Sequence, residues 1–471
     1  MLSLKRVPCF QINLKNVSEF WPCLLRSLQN AHFIAVDFVS TLLSLHFFTL
    51  ISQEFSGIGD KNNFKISNIE DRYKALVEIA KSRAIVSVGL SFFRYNGKNA
   101  NDGREMNYSV ENYDILVFCV DEYVNEKEAT EFLANHGFDF ELQKSCGLPF
   151  YKGNDKKNDE FDSYSLRLLI IEMIQRKIPI VFHNGFADLI FLYQNFYCQL
   201  PNNLQTFLCD LKEMFSKGIY DTKYIAESED RSIASFLEYT YYGRQLLNME
   251  RKFQDKWYVN IEFDTLDLNS PYSQIKDLSC VFLSKKPEGV KVCKNYSYHG
   301  WCVKGTSCPN SHNIHLILHE KIERKSKKAK QNINKVKKFY EDNKLCEEND
   351  EKNDEAKEKT FDPSANPMNV NSGIHSSGFD AFMTGYCFAV YIALYGGDKV
   401  DAKTKFTPTN IGLKRFHNSL YLTGKDIPLK VNASSYSRVS QNHKTKIEKI
   451  KKGDFINKQP NKNDNKAEDN V

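Results

Sequence analysis

A disulfide framework is missing from this chain: its twelve cysteines are scattered, apart from Cys293, Cys302 and Cys308. That usage fits a reducing compartment, cytosol or nucleus, with the other thiols buried as small apolar groups. Strong charge of one sign is missing as well. A net charge of +5 over 471 residues says little about partners, so local runs carry that information. The N-terminus, Met1-Leu2-Ser3-Leu4-Lys5-Arg6, lacks the apolar core of a signal peptide. No uncharged run reaches membrane length either. Between Phe33 and Ser52 only Asp37 carries a firm charge, but the uncharged part, Phe38 to Gln53, is shorter than the roughly 20 residues a bilayer needs. No internal repeat is evident.

What is present is enough apolar and aromatic content, 41% and 13%, for a sizeable core. β-rich runs at Phe33–Phe38, Ala84–Arg94 and Asp114–Val120 alternate with helical patterns over Asp71–Ser82, Lys127–His136 and Ser163–Arg176. Pro179-Ile180-Val181-Phe182 reads as a buried strand running into His183-Asn184-Gly185 and then a helix to Tyr197. This alternation predicts an α/β domain, a mixed sheet covered by helices. Gly243 to Lys291 has weak periodicity and reads as a long connection, and Gly378–Gly396 has a long helix pattern.

Asp37 and Glu54 look like the halves of one carboxylate pair separated by fifteen residues. Read without 39–53, the chain gives Asp37-Phe38-Glu54 at the end of an apolar strand, with both acids on one face about 7 Å apart. Two further short stretches end in an aspartate against a helix: His183-Asn184-Gly185-Phe186-Ala187-Asp188 and His375-Ser376-Ser377-Gly378-Phe379-Asp380. Four carboxylates and a histidine suit two divalent ions about 4 Å apart, one activating a water and one steadying the leaving 3′ oxygen. Mg²⁺ favours such oxygen ligands, and His375 has an ordinary pKa suited to taking the proton. Taken singly, an aspartate near a helix start is more often a cap or dipole partner than a ligand. His183 reads as structural.

The combination Asp-x-Glu, His183–Asp188 and His375-x-x-Gly378-x-Asp380 resembles the DEDDh 3′ exonucleases of RNase H-like fold, nearest the CAF and poly(A)-specific ribonuclease deadenylases. Longer stretches are similar to the target-of-early-growth-response family within them. They are Phe182–Asp188, Phe191–Tyr197, Gly218–Tyr224, Ala234–Tyr239, Gly378–Tyr386 and Tyr421–Lys425, and the resemblance covers most of 7–440. It implies a Mg²⁺-dependent 3′→5′ exoribonuclease that prefers adenosine tails of RNA and releases 5′-AMP, with small nuclear RNAs among its substrates. On the matching positions it makes Asp37, Glu54, Asp188 and Asp380 ligands of two Mg²⁺ and His375 the general base. Asp221 lies in a matching stretch but is not one of the four, and reads as structural.

A second constellation is Cys293-x8-Cys302-x5-Cys308-x3-His312, the CCCH finger spacing. Three thiolates and one imidazole close a tetrahedral Zn²⁺, so this site is structural. Tyr296, Tyr298 and Trp301 lie between the first two ligands and either pack round the metal or stack on RNA bases. A basic run spans Lys321–Lys338, nine Lys/Arg against one Glu, and its Ile322–Lys330 part reads as a nuclear localisation signal or an RNA-contacting arm, with a solvated linker as the plainer alternative. Family resemblance favours the nucleus, including the nucleolus or Cajal body. No membrane is expected, and nothing names a protein partner or an oligomeric state.

The expected organisation is a first exonuclease part over 7–260, the finger over 290–316, a basic then acidic disordered linker over 320–370, a final exonuclease part over 371–438 and a disordered tail over 439–471. Residues 39–53 read as a retained intron or a gene-model error. Fifteen codons keep the frame, Val39 supplies a donor GT, Gln53 can supply an acceptor AG, and Phe47–Ser52 suits a pyrimidine tract. If 39–53 are genuine, the alternative is a catalytically inactive RNA-binding CCCH protein, because ligand placement in a metal site is held to about 0.5 Å.

Overall fold

The computed structural model describes residues 2–40, 66–99, 102–135, 137–153, 164–230, 234–263, 270–281, 287, 289–326, 376–433 and 436–453. Its frame is one mixed sheet of eleven strands. In chain order these are β1 (Val7–Ile12), β2 (Phe33–Ser40), β3 (Ile85–Lys98), β4 (Glu105–Cys119), β5 (Leu148–Phe150) and β6 (Ile180–Phe182). They continue with β7 (Ile219–Asp221), β8 (Tyr258–Phe263), β9 (Ser273–Lys276), β10 (Ser419–Leu420) and β11 (Leu429–Lys430). The spatial order is β11-β10-β7-β6-β2-β3-β4-β1-β9, with β5 and β8 pairing on β4. β2, β3 and β4 are antiparallel, whereas β6 and β7 run parallel to β2 on its other side. Helices flank this sheet, so the α/β architecture read from sequence is the observed one.

Every residue of β2 is buried. Alternation sends Ile34, Val36 and Phe38 to one face, where they meet Leu24, Leu28, Leu76 and Ile170 from the flanking helices. Phe33 and Ala35 point to the other face, against Phe382, Phe388 and Ile392 of the helix Ser377–Tyr395. That helix is long and apolar enough to cross a membrane by composition, yet 89% of its apolar window is buried in the protein. The sheet uses its apolar surface.

Three sequence expectations change here. The stretch 439–471 was expected to be a disordered tail, but 441–452 forms the helix Gln441–Lys452. Its charged composition hides an i, i+3, i+4, i+7 pattern: His443, Lys446, Ile447 and Ile450 are buried. Lys446 Nζ donates to the Tyr197 carbonyl at 2.6 Å, and Ser440 caps the helix start at the His443 amide. The long connection Gly243–Lys291 holds most of the helix Leu237–Phe253 and all of β8 and β9. The linker expected to begin at 320 starts inside a helix, Ile314–Ser326; residues 327–375 lie outside the described residues.

Candidate active site

Asp37, Gly89 and Asp114 form one row across the three antiparallel strands, paired Asp37 to Gly89 and Gly89 to Asp114. Directly opposed residues point to the same face, so both carboxylates project beside the bare backbone of Gly89. A side chain at 89 has no room: its Cβ would lie 1.9 Å from the Ser377 carbonyl oxygen. The helix Ser377–Tyr395 therefore lands its N-terminus on that gap. Ser376 Oγ and Ser377 Oγ donate to Asp114 at 2.5 and 3.1 Å, and Ser87 Oγ donates to the same carboxylate. The landing sets Asp380, in the first helical turn, beside Asp37. Gly378 is also close-packed, since a Cβ there would lie 2.3 Å from Cys9 Sγ and 3.0 Å from the Tyr113 carbonyl oxygen.

Asp188 arrives from the parallel side. β6 ends in a turn at His183-Asn184-Gly185, with Asn184 at φ 70°. Asp221 at the end of β7 holds that turn by accepting the amides of Asn184 at 2.9 Å and Gly185 at 3.1 Å. It also takes the Tyr421 amide at 2.9 Å, tying in the late Tyr421–Lys425 stretch. The helix Phe186–Leu192 follows and buries Asp188 in its first turn. His183 contacts Thr222 Oγ1 through Nδ1 and donates from Nε2 to the Ser235 carbonyl, both at 2.9 Å. Both ring nitrogens are engaged, so it holds two loops together.

Electrostatics mark the cluster. Burial pushes the Asp37 carboxyl well up, with Asp380, Asp188 and Asp114 adding repulsion in that order. Asp188 is raised well above its ordinary range by burial and then by Asp221. Asp380 rises to about 7 through burial, opposed by Lys276 and reinforced by Glu238 and Asp114. Asp114 is also raised by burial, though the three serine hydroxyls work against this. Carboxylates so disposed demand positive counter-charge. Asp188 Oδ1 is buried and has no hydrogen-bond partner among the described residues. An all-oxygen donor set with an orphaned buried oxygen fits hard divalent cations.

Three of the four sequence-predicted acids, Asp37, Asp188 and Asp380, thus converge. Glu54 and His375 lie outside the described residues. Val39 stands two residues after Asp37, opposite Ser87, and is buried against Leu116, Leu133 and Phe138. That is the position Glu54 would take if 39–53 were absent. Asp114, Gly89 and the two serines were not singled out from sequence. Their signals were a lone charge in the apolar strand Tyr113-Asp114-Ile115 and a glycine inside a strand, which marks close backbone approach.

The metal-binding atoms of Cys293, Cys302, Cys308 and His312 all lie within 4.8 Å of one another. Four such atoms on a tetrahedral Zn²⁺, with bonds of about 2.0–2.3 Å, sit roughly 3.5–4 Å apart, so the donor set fits. The unit rests on the segment leading into the helix Leu237–Phe253. Tyr296 stacks on His312 at 4.5 Å and meets Phe236 edge-on at 6.0 Å. Gly300, at φ 76°, lies so close that a Cβ would sit 2.7 Å from the Phe236 ring. Tyr296 is thus engaged in packing. Tyr298 is 46% exposed, and Trp301 is partly exposed.

The model of the family described as CAF1 family ribonuclease matches residues 12–165 and 157–388. An uncharacterized protein of Schizosaccharomyces pombe is 26% identical over 151 residues, 31% of this chain and 32% of its own length. The chain therefore spans about a third of the curated relative it matches. Among solved structures, S. pombe Pop2p in its Mg²⁺- and Mn²⁺-bound form is 15% identical, with a TM-score of 0.33 over 47% of this chain and 76% of that one. The RNase domain of yeast Pop2 is 12% identical, with a TM-score of 0.31 over 47% and 72%. A yeast NOT1 MIF4G domain co-crystallized with CAF1 gives 13% identity and a TM-score of 0.32 over 48% and 75%. The family match extends across 12–388, and the chain belongs to the CAF1 family of ribonucleases.

Proposed function

We propose that this protein is a Mg²⁺-dependent 3′→5′ exoribonuclease that trims adenosine tails from RNA in the nucleus, small nuclear RNA included, releasing 5′-AMP. The observation that carries the reading is the convergence of buried Asp37 and Asp188 with the partly exposed Asp380, with an orphaned Asp188 oxygen and raised carboxyls. Asp37, Asp188 and Asp380, with Glu54 brought beside Asp37, would hold two Mg²⁺. Those ions would supply a polarised water and neutralise the leaving 3′ oxygen. Asp37 is fixed by its strand, Asp188 by the Asp221-braced turn, and Asp380 by the helix that Asp114 pins. His375 immediately precedes Ser376 and would take the proton from the attacking water. Zn²⁺ on Cys293, Cys302, Cys308 and His312 would be structural. Tyr298 and Trp301, with Tyr296 as their packed neighbour, would offer rings to unpaired bases.

A second reading has its own observation. Val39 occupies the place of the second carboxylate of Asp-x-Glu, so the 471-residue form is an RNA-binding protein without hydrolysis if 39–53 persist in the mature chain. The experiment compares both forms on a labelled RNA ending in adenosines, with Mg²⁺. The form lacking 39–53 shortens the tail stepwise, and Asp188→Ala in that form abolishes trimming. Continued trimming by the Asp188→Ala protein refutes the site. Uridine-tailed RNA and DNA test the preference for adenosine, and sequencing the message across codons 39–53 decides which form is made.

A further inference from the structure

Lys276 ends β9 at one edge of the sheet, where it pairs with Val7 of β1. Its Nζ lies 5.6 Å from the centre of the Phe379 ring, the residue preceding Asp380. Phe379 is 4% exposed, so its ring supports the ammonium from beneath and is not itself a platform for a base. Lys276 and Asp380 are partly exposed and Glu238 is exposed, whereas Asp37 and Asp188 are buried, so these three side chains carry the solvent-facing surface of the group. Among the described residues, the charges acting most strongly on Asp37, Asp188, Asp114 and Asp380 include one cation, Lys276. Glu238 feels the same lysine.

The bland role for such a lysine is counter-charge to Asp380 and Glu238. Divalent cations on Asp380 would make half of that role redundant. The ammonium would then have three donors to offer, with Glu238 still drawing on them. An RNA end entering the cluster brings a phosphate with each nucleotide, and an ammonium on a flexible stem binds phosphate as a point charge. We infer that Lys276 holds a backbone phosphate of the RNA at the mouth of the carboxylate site, positioning the chain whatever the base. This rests on the ribonuclease reading and adds a positioning residue to it.

The test is equilibrium binding of fluorescent ribo-oligomers to the full chain, with calcium in place of magnesium so that binding is read without turnover. Wild type, Lys276→Gln and Lys276→Arg are compared from low to high salt. One phosphate contact on a single strand contributes about 0.7 to the slope of log affinity against log salt, or roughly fourfold in affinity at 0.15 M. Lys276→Gln should lose both, equally for oligoadenylate and oligouridylate, while Lys276→Arg keeps the wild-type slope. Amide exchange in β1 and β9 and the melting temperature should be the same in all three proteins, showing that the sheet around Lys276 is intact. An unchanged slope in Lys276→Gln, or a loss confined to oligoadenylate, overturns the assignment while leaving the ribonuclease reading in place. A wild-type chain that binds no RNA overturns both.

Discussion

Gly89→Ala probes the joint on which the site depends. The added Cβ would lie 1.9 Å from the Ser377 carbonyl oxygen, 2.1 Å from its carbon and 2.6 Å from the Gly378 amide nitrogen. All three are backbone atoms, so no rotamer change relieves the overlap. An ordinary contact begins near 3.4 Å, so the helix start must withdraw by about 1.5 Å or the strand must bend. Overpacking of this kind costs about 1–3 kcal/mol. The long apolar contact of Ser377–Tyr395 with the sheet should absorb that, and the protein should fold with a lower melting temperature. The site has no such reserve: ligands must be held to about 0.5 Å, and a misplacement of about 1 Å can cost roughly a hundredfold in rate. Weaker Mn²⁺ binding, read by electron paramagnetic resonance, should therefore accompany a roughly hundredfold slower trimming of adenosine-tailed RNA in the form lacking 39–53. Full Mn²⁺ affinity together with wild-type trimming would falsify the claim that this helix landing sets Asp380 against Asp37.

Without divalent cation, folded Asp380 has a carboxyl near 7 against an ordinary 3.8, and Asp37 and Asp188 are shifted the same way by burial. The folded chain then holds more protons than the unfolded chain between those values, so stability should fall as pH rises from about 4 to about 7, and added Mg²⁺ should raise the melting temperature most at the upper end; a melting temperature in chelator that climbs over that window would contradict the buried cluster. Deleting 441–471 removes the burial of Ile447 and Ile450, about 3 kcal/mol or more, and uncovers Tyr197. Chemical unfolding should register that loss, whereas a dispensable tail predicts no change. Cys308→Ala should abolish the thiolate-to-cobalt absorption of the Cys/His unit and speed amide exchange in Ile314–Ser326, leaving exchange in β2 and β3 slow. Unchanged exchange in that helix would separate the metal from the docking.

Much of the frame was legible because its causes are local. Phe33–Phe38 and Ala84–Arg94 carry enough apolar, β-rich sequence to be strands in any neighbourhood, and Gly378-Phe379-Asp380 opens a helix by pattern alone. The Cys/His spacing brings four donors together because the unit is short. The helix Gln441–Lys452 was hidden by composition: six of its twelve residues are charged, and its apolar stripe is two isoleucines completed by a histidine and a lysine stem. Glu238 and Lys276 were ordinary surface charges until β9 and the helix Leu237–Phe253 brought them to Asp380.

By itself the sequence determined which acids could act and that they sit at strand ends and helix starts, since residue type, period and capping chemistry are written along the chain. Tertiary structure alone decided that Asp37, Asp188 and Asp380 come together, that Asp114 pins the start of the helix carrying Asp380, and that Val39 is buried against Leu116, Leu133 and Phe138. The physical reason is that a strand row joins residues by register across 77 positions of sequence, from Asp37 to Asp114, and the gap left by one glycine side chain is visible only when a helix is seated in it.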